Sequence, residues 1–228
     1  MPAHHVIAID GPAASGKSSV ARALAQRLQF SHVNSGAMYR AVTWHALQRG
    51  VNVREPAAVA AAVERSRIVC DLIDNQSRIL IDDHDPTLHL HDDDVTRAVS
   101  LVSSVPRVRE ILVSHLREYA NKGNVVMEGR DIGTVVFPDA DIKLYLDASP
   151  DERARRRAAD SAHAIGREGA GVDGVAQALE ARDRSDRTRA ISPLTIAADA
   201  IYLDTTGMGI DAVLERVLTL VEQASKKP

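Results

Sequence analysis

The sequence predicts an α/β fold, a three-layer α/β/α arrangement around a central five-stranded parallel sheet. Three observations carry that expectation. Five short apolar runs alternate with segments of helical period, a glycine-rich turn joins the first run to the first helix, and one hairpin pattern interrupts the alternation. The first strand is read at residues 5 to 10, where Val6-Ile7-Ala8-Ile9-Asp10 is a strand-like apolar run. It passes directly into Gly11-Pro12-Ala13-Ala14-Ser15-Gly16-Lys17-Ser18, which satisfies G-x-x-x-x-G-K-[ST] at every required position. Val20, Leu24 and Leu28 then continue at helical spacing, so a helix is expected near 17 to 28. A second strand at 31 to 34 precedes a helix near 37 to 49, which Gly50 ends.

The rhythm then breaks. Arg67-Ile68-Val69-Cys70-Asp71-Leu72-Ile73, a polar turn at Asp74-Asn75-Gln76-Ser77 and Arg78-Ile79-Leu80-Ile81-Asp82 read as a hairpin rather than a crossover unit. An inserted subdomain carrying small antiparallel structure is therefore placed at about 57 to 100. Alternation resumes with a helix near 107 to 121, stopped by Gly123, and strands at 124 to 128 and 142 to 147. Helices near 151 to 162 and 174 to 188, a strand at 200 to 204 and a helix near 210 to 224 complete the chain, with Lys226-Lys227-Pro228 read as a frayed end. Neither internal repeats nor a separate linker divide it. The expectation is one domain over 1 to 228.

Composition fits such a container. The 228 residues are 45% hydrophobic, enough for a substantial core, and the net charge of −3 does not suggest a protein that coats nucleic acid. A single cysteine, Cys70, excludes an internal disulfide framework. Asp10 and Gly11 interrupt the only candidate for an N-terminal apolar segment, and no run approaches membrane-spanning length, so a soluble cytoplasmic protein is expected.

The glycine-rich turn has a specific chemistry. Its two glycines let successive backbone N–H groups point at one anion, the following helix aims its N-terminus the same way, Lys17 adds a mobile positive charge, and the Ser18 hydroxyl can ligate a nucleotide-bound magnesium ion. Three further clusters suggest what happens to the phosphate. Arg40, in Asn34-Ser35-Gly36-Ala37-Met38-Tyr39-Arg40, can clamp a second phosphate with its guanidinium fork. Glu128-Gly129-Arg130-Asp131-Ile132-Gly133-Thr134 lies at the C-terminal end of a strand, the edge that open α/β sheets use for ligands. Arg182, Asp186 and Arg189 recur at helical spacing and share one face. With Arg153, Arg155, Arg156 and Arg157 these supply the neutralisation that a nucleotide donor and an anionic acceptor need together.

Over nearly its whole length the chain resembles the bacterial cytidylate kinases, nucleoside monophosphate kinases that phosphorylate CMP and dCMP. The phosphate loop is shared with very many proteins. The specific matches are the 34 to 40 stretch, Pro106-Arg107-Val108-Arg109-Glu110, the block from Gly129 to Ala140, and Arg182 to Arg189 with Ile191-Ser192-Pro193-Leu194. The resemblance implies in-line transfer of the γ-phosphoryl group of ATP, with Mg2+ as cofactor, to CMP or dCMP by a monomer. It implies that the loop residues Gly11, Pro12, Ala13, Ala14, Ser15, Gly16, Lys17, Ser18 and Ser19 bind ATP. It further implies that Ser35, Arg109 and Asp131 read the base, that Ser100, Arg182 and Asp186 hold the sugar, and that Arg40, Arg130 and Arg189 hold the acceptor phosphate. Lys17, Arg130, Arg189 and Arg157 would stabilise the moving charge. The segment 153 to 174, with Gly166, Gly169, Gly171 and Gly174, reads as a short lid.

The departures from the family are small: Ala13-Ala14 stand where many relatives have another glycine, and Ser18-Ser19 where a threonine is frequent. No apolar strand ends in an evident magnesium carboxylate, which leaves Asp10 and Asp131 as candidates to orient metal-bound water. Rival readings stay open. One is a kinase for UMP, AMP or another small acceptor. The other is a nucleotide-hydrolysing switch, against which Asn121-Lys122-Gly123-Asn124 lacks the carboxylate of a guanine reader. His84, His89 and His91 among six aspartates read as a solvated acidic loop leading to a helix capped by Asp92 or Asp93 rather than as a metal site. Tyr39 and Trp44 read as packing residues.

Overall fold

A computed structural model describes residues 4–160 and 172–225. Seven strands form one sheet in the order β3-β4-β2-β5-β1-β6-β7. The strands are β1 (Val6–Asp10), β2 (Ser31–Asn34), β3 (Ile68–Ile73), β4 (Gln76–Ile81), β5 (Val125–Gly129), β6 (Ile142–Asp147) and β7 (Ile201–Asp204). The five strands expected to be parallel are parallel neighbours in the order β2-β5-β1-β6-β7. The hairpin β3-β4 extends this sheet rather than standing apart, because β4 pairs in parallel with β2 at His32 and Gln76. Its turn is two residues, Asp74 and Asn75, at φ of 51° and 58°, the left-handed pair whose twist matches flanking strands.

Helices cover both faces. They are α1 (Lys17–Leu28), α2 (Ser35–Gln48), α3 (Pro56–Arg65), α4 (Asp93–Ser103), α5 (Pro106–Ala120), α6 (Pro150–Ala159), α7 (Val172–Thr188) and α8 (Ile210–Ser225). Side chains of a strand alternate between faces, and β1 shows the consequence. Val6 and Ala8 join the core built with α2, α3, α4 and α5, while Ile7 and Ile9 join the core built with α1 and α8. The helix expected after Asp92 or Asp93 is α4, whereas α3 falls in the segment from which only small antiparallel structure was expected. Pro56 starts α3 at a first-turn position, where the missing N–H costs nothing. Asp92 is the residue before α4, but its side chain makes no capping bond there and turns to His89 instead.

The register brings the functional segments to one edge. Asp10 lies opposite Gly129, and Asn34 opposite Glu128, so the segments that follow β1, β2 and β5 all emerge at the C-terminal end of the sheet. Beyond β5, Ile132–Val136 form one π-helical turn, whose amides at Ile132 and Gly133 each donate to the Asp10 carboxylate at 2.8 Å. Asp10 is thereby committed to fixing the segment that carries Asp131.

Candidate active site

The loop between β1 and α1 is shaped by glycines at two places. Gly11 has φ +151°, and a Cβ there would stand 2.0 Å from the Leu146 carbonyl oxygen; Gly16 has φ +90°. Neither Gly11 nor Pro12 lines the cleft. The Pro12 carbonyl accepts from the Lys17 ammonium at 2.8 Å, and Ala13 through Ser19 form the wall. Burial and the nearby Arg130 guanidinium hold the Lys17 pKa well below its ordinary value. The loop is buttressed from behind. Asp183 accepts from the Ala13 amide at 3.1 Å and is paired with Arg153, which also donates to the Ala13 carbonyl at 3.2 Å. Arg156 donates to the carbonyls of Ser15 at 3.2 Å and Thr205 at 2.7 Å, tying the loop to the segment after β7.

The cleft has a volume of about 720 Å³ and runs from this loop to α4. Glu128, at the end of β5, forms its floor. One carboxylate oxygen accepts from the Ser18 hydroxyl at 2.7 Å, while the other is buried without a hydrogen bond, 3.6 Å from His32 Nε2. Burial pushes the Glu128 pKa up, but His32, the Lys17 ammonium and the Ser18 hydroxyl outweigh it and hold the carboxyl below its usual range. Asp10 and Asp131 do not take this position. Asp10 serves the π-helical turn, and burial raises its pKa to about 6. Glu128 ends the apolar run Val125-Val126-Met127, so the strand-end carboxylate was present in the sequence and passed over. Its one signal was that strand position.

On the far side, Ser35 opens α2 and donates its hydroxyl proton to the Glu128 carbonyl at 2.8 Å. Towards the cleft it can only accept. Asp131 is paired with Arg109 and lies 3.6 Å from Arg189, and the Arg109 guanidinium sits 5.1 Å from the Tyr39 ring centre. Arg130 donates to Asp186 at 2.9 Å, and Arg189 lies 3.9 Å from the same carboxylate. Arg40 donates to the Leu90 carbonyl and the Thr96 hydroxyl, both at 2.9 Å. Ser100, Arg157 and Arg182 line the same cleft, and among the described residues no hydrogen bond or ion pair holds either of these guanidinium groups. Their crowding is costly. Burial and neighbouring arginines push the Arg40 pKa down to about 9 and that of Arg182 to about 10.

The site residues read from the sequence thus converge, with Gly11 and Pro12 behind the wall. Asp183, Glu128 and Tyr39 join them as residues to which sequence reasoning gave no role in the site, and Arg153 and Arg156, expected to neutralise substrate charge, instead hold the loop from behind. Gly166, Gly169 and Gly171 lie outside the described residues. The histidines of the insert do not converge: His84 bonds the Asp82 carbonyl at 2.7 Å, His89 stacks on Trp44, and His91 lines the cleft. Among the described residues no cluster of three His, Cys, Asp or Glu is arranged to hold a metal ion.

A family model described as cytidylate kinase matches residues 7–223. The chain belongs to the cytidylate kinase family. Its relatives include a cytidylate kinase of Rhodococcus jostii (strain RHA1), 46% identical over 96% of this chain and 95% of that one. Another, from Desulfitobacterium hafniense (strain Y51), is 44% identical over 94% of this chain and 91% of its own length. Among solved structures, an uncharacterized protein from Eubacterium ventriosum ATCC 27560 superposes with a TM-score of 0.51 at 12% identity, covering 96% of this chain and 98% of that one. That likeness concerns the fold alone.

Proposed function

We propose that the chain transfers the γ-phosphoryl group of ATP to CMP or dCMP, giving ADP and CDP or dCDP. The observation that carries the acceptor assignment is the hydrogen-bonding polarity of the cleft. Ser35 has spent its only proton on the Glu128 carbonyl, and the Asp131 carboxylate has none to give, so both present lone pairs. The exocyclic amino group of cytosine supplies protons to such a wall. The O4 of uracil would set lone pairs against it and leave buried groups unpaired.

Ala13 through Ser19 cradle the donor phosphates with backbone amides, and Lys17 sits beside the bridging oxygen. Ser100, Arg182 and Asp186 hold the sugar, and Arg40, Arg130 and Arg189 hold the acceptor phosphate. An acceptor phosphate oxygen forms the new bond to the γ-phosphorus as the bond to the β–γ bridging oxygen breaks, the electron pair leaving on ADP. That phosphate is largely ionised at neutral pH, so no strong general base is required. Lys17 follows charge onto the leaving oxygen while Arg130, Arg157 and Arg189 offset charge between the substrates.

The residues fit a magnesium ion. The Glu128 carboxylate that accepts from Ser18 has a second, buried oxygen without a hydrogen bond, 3.6 Å from the His32 ring, and with Ser18 it makes a hard oxygen donor set suited to that ion. Ser18 would ligate it directly and Glu128 would orient its water. When bound, the ion neutralises and aligns the donor phosphates. The reading keeps one kinase domain over 1 to 228, an acceptor-binding insert at 57 to 100, a lid at 153 to 174, and a cytoplasmic monomer acting on small molecules rather than on nucleic acid or membranes. No described helix is long and apolar enough to cross a membrane.

The test is acceptor-dependent ADP formation with CMP, dCMP, UMP and AMP at equal concentrations. CMP and dCMP are expected to outperform the others in kcat/KM. Equal or better use of UMP or AMP would sink the specificity assignment.

A further inference from the structure

Arg40 is buried among Arg130, Arg157 and Arg182, whose charges and burial together depress its pKa. Among the described residues its guanidinium is held only through Nη1, by the Leu90 carbonyl and the Thr96 hydroxyl. Nε and Nη2 are left for a ligand. The aim of this arginine therefore depends on where Leu90 sits. Leu90 itself is half-buried against the core, but the three residues before it, the 3₁₀ turn Thr87–His89, are exposed, with Leu88 at 89%. Such a stretch has little apolar burial to fix it.

One contact ties this exposed turn to α2. Trp44 and Arg40 are four residues apart on α2 and so share a face. The His89 imidazole lies parallel to the Trp44 indole, with ring centres 5.4 Å apart and an interplanar angle of 11°. Its Nδ1 is hydrogen-bonded to the Asp92 carboxylate at 2.9 Å, directly before α4, which carries Thr96. The segment is thus laid across one face of α2, pinned at Trp44 by His89 and meeting Arg40 one residue later through the Leu90 carbonyl.

We infer that the Trp44–His89 stack is a positioning device for Arg40, setting acceptor affinity without touching substrate, and that Trp44 reports acceptor binding. The inference rests on Arg40 holding the acceptor phosphate. Trp44 is the sole tryptophan of the chain, so emission excited to the red of tyrosine absorption is that of this indole.

Steady-state kinetics test it, varying CMP at saturating ATP and ATP at saturating CMP, with thermal unfolding of every variant. An aromatic pair of this kind is worth a change of about three- to tenfold. Trp44→Ala and His89→Ala are each expected to raise KM for CMP by that factor, leaving KM for ATP unchanged and kcat within about twofold. Trp44→Phe, which keeps a stacking ring, restores the wild-type KM, and the double variant Trp44→Ala/His89→Ala is no worse than either single one. CMP addition alters wild-type tryptophan emission, and His89→Ala loses that change. Both KM values moving together, neither moving, additive losses, or emission blind to CMP would overturn the inference. If Trp44→Ala does not fold, His89→Ala in the wild-type and Trp44→Phe backgrounds decides it, an unmoved KM for CMP counting against. Arg40→Ala separates the two claims. An unchanged KM for CMP in that variant overturns the reading of Arg40 itself, whereas a raised one beside silent Trp44 and His89 variants overturns only the stack.

Discussion

Two carboxylates show how differently this fold uses one functional group. Asp131, flanked by Arg109 and Arg189, faces the cleft; Asp10, six residues before Gly16 and read as a metal-side candidate, spends both oxygens on backbone amides. Asp131→Ala is expected to lower kcat/KM for CMP by about 100-fold or more, because Arg109 and the base both lose a partner, while ATP binding changes little. Equal loss on both substrates, measured by titration and kinetics, would mean the residue serves the donor or the fold. Asp10 carries a pH prediction. Its folded pKa of about 6 lies above the ordinary 3.8, so the folded state takes up the proton first. Relative to Asp10→Asn, wild-type stability is then greatest below about pH 4 and is lost as pH rises through about 6, by about 2–3 kcal/mol. Denaturation of both proteins across pH 4 to 7 checks the sign; a difference that grows with pH would contradict it.

At the scale of elements, the phosphate loop is only as good as its supports. Asp183 on α7 and Arg153 on α6 are both buried and meet behind Ala13, so two helices distant in sequence grip one turn. Asp183→Ala leaves a buried, unpaired guanidinium and is expected to destabilise by about 3–5 kcal/mol and to raise KM for ATP. Thermal unfolding and donor kinetics measure the two effects separately, and stability loss without a donor effect would show the grip to be structural alone. Gly129 constrains another junction, since a Cβ there would stand 2.5 Å from the Ser35 hydroxyl and 2.7 Å from Ile132. The elements themselves were largely legible: short continuous apolar runs and helical spacing put β1, β5, β6, α1 and α5 within a residue or two of where they lie. Helix α3 was not. The Ala-rich run before Arg65 was absorbed into the insert, because short helices draw their stability from tertiary packing rather than local propensity, while the start of α4 was legible only as a helix following Asp92 or Asp93.

For the whole molecule, the cleft concentrates more cations than Asp131 and Asp186 neutralise. Arg40, Arg130, Arg157 and Arg182 repel one another, which lowers the pKa of Arg40 and Arg182 on top of burial. Arg182→Met keeps the stem and removes one charge. The ligand-free variant is expected to melt no lower than wild type, and its kcat/KM for CMP to fall by about 100-fold or more, the exchange of stability for function expected at a binding site. Calorimetry without ligand, read beside kinetics, checks both halves, and a lower melting temperature would argue that Arg182 holds the fold.

The phosphate loop, the α/β alternation and the arginine-rich blocks were determined by local sequence, because glycine geometry, strand period and guanidinium chemistry are properties of short stretches. Tertiary structure alone decided which carboxylate faces Ser18, which arginines grip the loop from behind, and that the hairpin continues the main sheet. Those outcomes depend on pairings between residues 30 to 170 positions apart, where burial and register, not local pattern, choose the partner.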